Sequence, residues 1–181
     1  MDLASPALPP TLALTRGFTA VAAQPDARPA ASKQSLRSRQ GFRIGELRLM
    51  VRYEDGSELT EMPRLYRLPN AAPWFAGIAN LHGMLVPVFD LGAWAGVARD
   101  PNERPMLLVL SHGADAAGIV IDGLPQRLRY SQTEEADAAT APARLAPHVR
   151  GAALIEGALW FDIDRAALLD ALENSLARTG P

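Results

Sequence analysis

Two stretches of this chain, GIANLHGMLVPVFD (Gly77–Asp90) and GAALIEGALWFDID (Gly151–Asp164), carry one pattern written twice. They align without a gap at a constant offset of 74 residues, from Gly77 to Gly151 and from Asp90 to Asp164. Glycine meets glycine again at Gly83 and Gly157, Ala79 meets Ala153, Leu81 meets Ile155 and Leu85 meets Leu159. Each copy reads as strand, two-residue turn, strand, then a carboxylate that opens a helix. The turns are His82-Gly83 and Glu156-Gly157, and glycine at the second position supplies the positive φ that a two-residue hairpin needs. Histidine and glutamate stand where Asn or Asp is usual, so the spacing leaves the turn type open. Asp90 and Asp164 can each accept hydrogen bonds from the free N–H groups of a first helical turn. Two similar hairpins imply two similar lobes. Short strands with glycine turns point to small barrels, and no strand–helix–strand alternation supports a doubly wound sheet.

Outside the repeat, the pattern stays β. FRIGELRLMVRY (Phe42–Tyr53) alternates, with Phe42, Ile44, Leu47, Leu49 and Val51 apolar and a turn at Gly45-Glu46. MLLVLSH (Met106–His112) and AGIVIDGL (Ala117–Leu124) read as a second strand pair around the turn signal GADA. DIDRAALLDALENSLA (Asp162–Ala177) has Ala166, Leu169, Leu172 and Leu176 at helical spacing, with Asp164 as N-cap. A shorter helix is expected over DLGAWAG (Asp90–Gly96), and a long polar loop over Ser131–Pro147. Residues 1–38 differ: Pro6, Pro9, Pro10, Pro25 and Pro29 interrupt them and no period persists, so they read as a flexible arm with a short docking piece at Leu12–Ala22. Residues 39–177 form the expected domain.

Composition narrows the function. The net charge of −2 gives no overall basic field for nucleic acid. Residues 1–40 carry five basic and two acidic side chains, which makes the arm weakly basic, as a solvated tether would be. No cysteine exists, which excludes disulfides, thiol catalysis and cysteine-ligated zinc. No stretch approaches the ~18 apolar residues of a membrane span, and the early prolines argue against a signal peptide. The expectation is a cytoplasmic protein with no direct membrane insertion.

Chemistry is hard to find. His82, His112 and His148 form no H-x-x-x-H pair, so no metal site is expected. There is no G-x-S-x-G elbow, no P-loop and no G-x-G-x-x-G, and the only lysine, Lys33, lies in the arm. Ser111 and His112 are neighbours on a strand and point to opposite faces. Asp162 and Asp164 read as a helix cap with its neighbour before they read as paired acid–base carboxylates. Trp74, Phe75, Phe89, Trp94, Trp160 and Phe161 sit in apolar surroundings and are expected in the core. Only RLYRL (Arg64–Leu68) and RLRY (Arg127–Tyr130) interleave aromatic and basic residues as a single-stranded nucleic-acid barrel would. No catalytic, cofactor or metal residue is assigned. What remains is binding through strand edges and an apolar crease.

LPNAAPWFAGIANLHGMLVPVFDLGAWAG (Leu68–Gly96) resembles the central signature of the CheW family, the coupling proteins of bacterial chemosensory arrays. Gly77, Asn80, Leu81, Gly83, Pro87, Asp90 and Leu91 match its pattern of G-x-x-N-L-R-G, an apolar strand with Pro, and a closing Asp-Leu. GIVIDGL (Gly118–Leu124) and VRGAALIEGALWFDID (Val149–Asp164) resemble its other strands. The resemblance implies a mainly all-β fold of two five-stranded, SH3-like barrel lobes with a C-terminal helix. It implies a non-catalytic adaptor linking a methyl-accepting chemoreceptor tip to the regulatory domain of a CheA-type histidine kinase, recruited to membrane-associated arrays. It also implies a receptor-facing region between the lobes, around Gly56, Glu58, Gly77, Asn80 and Leu81. His82 replaces the family's arginine, which can pair with a glutamate at the position of Glu58. A histidine makes that contact weaker and pH-sensitive. Related adaptors serve type IV pilus (twitching) systems, and this chain resembles either branch. An assembly-only scaffold without receptor binding stays open beside the coupling role.

Overall fold

The computed structural model describes residues 36–179, which fold into eleven strands and two helices. Most of the arm, including Leu12–Ala22, lies outside the described residues. Its last residues, Arg37 and Ser38, already belong to the first strand.

The elements follow in chain order. β1 (Arg37–Ile44) and β2 (Leu47–Arg52) form the first hairpin, and β3 (Gly56–Glu61) and the two-residue β4 (Leu65–Tyr66) come next. β5 (Phe75–Leu81), β6 (Met84–Phe89) and α1 (Leu91–Ala95) are the first copy of the repeat. After β7 (Pro105–Leu110), β8 (Ala117–Tyr130) and the two-residue β9 (Glu135–Ala136), the second copy is β10 (Val149–Ile155), β11 (Ala158–Ile163) and α2 (Arg165–Thr179).

All strands join one sheet because β8 serves two groups. Its first half, from Ala117 to Asp122, pairs with β7, and its second half, to Tyr130, pairs with β1. The sequence reading ended this strand at Leu124, with Gly123 and Pro125 at that expected end. They bend the strand instead. Gly123 takes φ +69°, and Gly123, Leu124 and Pro125 stand opposite Phe42 alone. Such a bulge re-aims a strand without ending it. Asp122, at the bend, is buried and accepts hydrogen bonds from the amides of Gly45 (2.6 Å) and Asp100 (3.2 Å) and from the Arg99 guanidinium (2.8 Å from Nε). Burial alone would raise its pKa. The Gly45 amide, Arg99 and the Asp100 amide outweigh that and hold it below the usual carboxylate range.

Each group of five strands, with a short edge strand, encloses a small core. Ala79, Leu81, Val86, Val88, Leu107 and Val109 fill the first. Met50, Leu128, Tyr130, Ala153, Ile155 and Trp160 fill the second. A larger cluster draws on both, from Phe42, Leu49, Phe75 and Phe89 to Phe161, Leu168 and Leu172. At roughly 1.5–3 kcal/mol per buried large side chain, this shared cluster is the main reason the groups stay together. All six aromatics expected in the core are there.

The repeat is realised bond by bond. Both hairpins carry one extra residue at the same place, Ala76 in the first and Arg150 in the second, where the register shifts. Both turns have positive φ at both central residues: His82 52° and Gly83 87°, Glu156 51° and Gly157 76°. These are type I′ turns, which settles the turn type. The two-residue edge strands pair at matching positions, β4 with Ile78 and Ala79, and β9 with Ala152 and Ala153. The Asp90 amide donates to the Trp74 carbonyl and the Asp164 amide to the His148 carbonyl, each at 2.8 Å. Asp90 and Asp164 then cap their helices by accepting from the Ala93 (3.0 Å) and Ala167 (3.2 Å) amides. The segment read as a long loop, Ser131–Pro147, contains β9 and tight turns, and Leu145 within it is fully buried.

Candidate partner-binding surface

The resemblance singled out six positions, and the structure gives them four different jobs. All six lie on β3, on β5 or in the turn after β5. Glycine at 56 and at 77 makes room for neighbouring chain. A side chain at Gly56 would strike the Gln40 side chain of β1, in the other group. At Gly77, with φ +136°, it would come within 2.7 Å of the Tyr66 carbonyl of β4. Leu81 is buried in the first small core, so it reaches a partner only through the strand it anchors. The Asn80 side-chain carbonyl accepts from the Gly83 amide at 2.9 Å and holds the turn closed.

Glu58 and His82 are the pair that remains free to act outward. His82 Nε2 lies 3.0 Å from Glu58 Oε1, joining the β5–β6 turn to β3, and the imidazole side chain is 77% exposed. Gly77 sits four residues before Leu81 at the far end of β5, roughly 13 Å away at strand spacing, so it does not belong to this cluster. Close by, Asp55 is buried between the guanidiniums of Arg52 (3.1 Å) and Arg165 (3.1 Å), which ties β3 to the start of α2. Burial raises its pKa, but the hydrogen bonds from Arg52 and Arg165 prevail and hold it below the ordinary range.

The sequence reading missed an apolar face. Cross-strand partners share one side of a sheet, and Tyr66, Ile78 and Pro87 form one such row, Asn80 and Leu85 the next. This is the outer side of the first hairpin. On it, Leu85 is 71% exposed and Tyr66 53%. Arg64 lies over the Tyr66 ring, 5.4 Å from its centroid. On the second hairpin the same positions are Ala152, Leu154, Leu159 and Phe161. There, Ala152 and Phe161 are buried in one cluster with Leu168, Leu169 and Leu172 of α2 and Leu159 packs against it, while Leu154 stays 52% exposed. The first hairpin lacks that cover because α1 stops after five residues at Gly96, which adopts φ +77° and returns its amide to the Gly92 carbonyl. The signal was present in the sequence: the glycine after DLGAWA marks a helix too short to cover the strands before it.

The two nucleic-acid candidates dissolve into structure. In RLRY, Leu128 and Tyr130 are core residues and Arg127 lies over Tyr53, 5.4 Å from its ring centroid. In RLYRL, Arg64 and Tyr66 engage each other. Asp162 and Asp164 hold separate arginines, Asp162 with Arg39 (2.9 Å) and Asp164 with Arg150 (2.9 Å). Among the described residues, no group of three or more His, Cys, Asp or Glu could hold a metal ion, and no helix is long and apolar enough to cross a membrane.

Known proteins share this architecture. The family described as CheW-like domain matches residues 40–173. Protein PilI of Pseudomonas aeruginosa is 31% identical over 83 residues, 45% of this chain and 47% of its own length. Chemotaxis protein CheW of Klebsiella aerogenes is 34% identical over 70 residues, 37% of this chain and 41% of its own. The chain thus spans about half the length of the curated relatives it matches. In three dimensions it resembles the scaffolding protein TtCheW from Thermoanaerobacter tengcongensis, with a TM-score of 0.62 at 18% identity over 71% of this chain and 84% of that one.

Proposed function

We propose, from the premise that this chain belongs to the CheW-like family of non-catalytic scaffold proteins, that it couples a chemoreceptor tip to a CheA-type histidine kinase within a chemosensory array. The observation that carries this reading is the uncovered outer face of the first hairpin, beside the Glu58–His82 pair. An exposed apolar sheet face is adhesive and is kept only when it is used. Its counterpart on the second hairpin shows what fits such a face: an amphipathic helix with leucines at helical spacing, as α2 supplies through Leu168, Leu169 and Leu172. A receptor tip built of helices would seat there, with Glu58 and His82 at its rim. The kinase regulatory domain would engage the barrel ends and open strand edges, of which β3 offers one, since among the described residues it pairs only with β7. The likeness to a protein named PilI favours the type IV pilus branch over the flagellar one.

Reconstitution tests the reading. A kinase and a receptor fragment from a pilus-type array are combined with and without this protein, and kinase autophosphorylation is followed. Receptor-dependent kinase output is expected only in the three-component mixture, and Leu85→Asp should remove it while the kinase still binds. Output unchanged by the protein, with flagellar-type and pilus-type partners alike, would reject the coupling role. Kinase binding without receptor binding would leave the assembly-only scaffold.

A further inference from the structure

We infer that a cavity between α1 and the last turns of α2 is a second binding site, built for an oxyanion, carboxylate or phosphate, carried on a small apolar body. The cavity measures about 370 Å³ and is lined by Trp74, Trp94, Arg144, Ser175 and Arg178. It lies on other elements than Glu58, His82 and the open face of the first hairpin, so it does not depend on the coupling role.

Two arginines share its lining. Several arginines of the described residues are neutralised by carboxylates, as with Arg39 on Asp162, Arg99 on Asp122 and Arg165 on Asp55. Among the described residues, Arg144 and Arg178 hold no carboxylate and no acidic side chain lines the cavity they share. Two like charges facing one recess repel each other unless a counter-charge joins them. Arg144 is also held in place, since its Nη1 donates to the Trp94 carbonyl at 3.0 Å. That bond fixes one end of the guanidinium and leaves its remaining donors for an oxyanion, which suits the planar two-pronged geometry of arginine. Ser175 and Arg178 are three residues apart on α2 and so share a helix face.

The floor supplies the apolar half. Trp74 stacks near Phe89 with ring centroids 6.1 Å apart, and Trp94 lies 6.0 Å from the His148 ring, so both indoles are fixed and present only their margins to the cavity. Rigid aromatic margins in one lining with two guanidiniums match a ligand with an apolar end and an anionic end. The volume falls within the range of small-molecule sites.

Titration of the full chain with phenyl phosphate, followed by calorimetry and by tryptophan fluorescence, tests the assignment. Inorganic phosphate isolates the anionic half of the ligand and benzyl alcohol the apolar half. The expected result is saturable binding of phenyl phosphate, at least tenfold tighter than either half alone. Affinity should fall at least tenfold in the double variant Arg144→Gln, Arg178→Gln, and fall again with added salt. Should the double variant not fold, Arg178→Gln alone, on the exposed last turn, should still weaken binding severalfold. Equal titration of wild type and variant, benzyl alcohol binding as well as phenyl phosphate, or no saturable binding would each overturn the site.

Discussion

The first and second hairpins share their edge pairing, bulge, turn and helix cap, yet Leu85 on the outer face of the first is exposed where its counterpart Leu159 packs against the core. The difference begins at a single position. Gly96 ends α1, while 74 residues later Asp170 stands inside α2, which runs on to Thr179. With the longer helix, Ala152, Leu159 and Phe161 join a core that includes Leu168, Leu169 and Leu172. With the shorter one, Leu85 and Tyr66 face solvent. The hairpin is therefore a neutral frame. The length of the helix that follows decides whether its outer face stabilises the fold or serves a partner.

Cutting α2 to the length of α1 is the severest way to challenge this contrast. A chain ending after Asp170 loses Leu172, which is fully buried, and Leu176, which packs against the same cluster. Urea denaturation should show a loss greater than the ~2–5 kcal/mol that one buried leucine carries. A milder cut compares matched faces. Phe161→Ala should cost about 3–5 kcal/mol, whereas Leu85→Ala should shift stability by no more than ~0.5 kcal/mol. In a receptor pull-down the order should reverse, with Leu85→Ala lowering affinity about tenfold, near 1.4 kcal/mol. Equal destabilisation by the two substitutions would break the contrast.

Asp122 tests the joint that both groups share. Asp122→Asn leaves the Arg99 guanidinium facing an amide and should destabilise the protein by about 3 kcal/mol. The carboxylates of Asp55, Asp122 and Asp164 all titrate below the ordinary value of 3.8 in the folded state, so the unfolded chain binds their protons more readily. Their stabilisation is complete above about pH 5 and is lost as pH falls through 3.8 toward the folded values. Urea midpoints between pH 6 and pH 2.5, on the order of one measurement per half unit, should decline along that limb. The decline should be shallower in Asp122→Asn.

Much of the fold was legible because its signals are local. Alternation marked β1 and β2, glycine marked both turns, and Asp90 and Asp164 marked both caps. The bend at Gly123-Leu124-Pro125 was not legible, since the residues that end a strand are also those that bulge it. β9 was hidden because two residues paired to a neighbour leave no period in a polar segment. At the candidate site, a motif mixes residues that preserve the fold with residues that meet partners. Leu81, Gly77 and Asn80 proved to serve core, clearance and turn, and only coordinates separated them from Glu58 and His82. The open face is legible only as a difference between two copies, and reading it requires knowing how far each helix runs.

The smallest effect concerns the turns. His82 and Glu156 both sit in the left-handed region, at φ 52° and 51°, which costs an ordinary side chain roughly 1–2 kcal/mol and costs asparagine less. Glu156 has no partner among the described residues, so Glu156→Asn should gain about 0.5–1 kcal/mol and raise Tm by about 2–4 °C per kcal/mol. His82→Asn receives the same relief but gives up the contact with Glu58, an exposed pair worth about 0–1 kcal/mol. Its gain should be the smaller of the two, and the gap in Tm measures what that pair contributes to the fold. Equal gains would mean that Glu58 and His82 do nothing for the fold, leaving both free for whatever docks on the open face beside them.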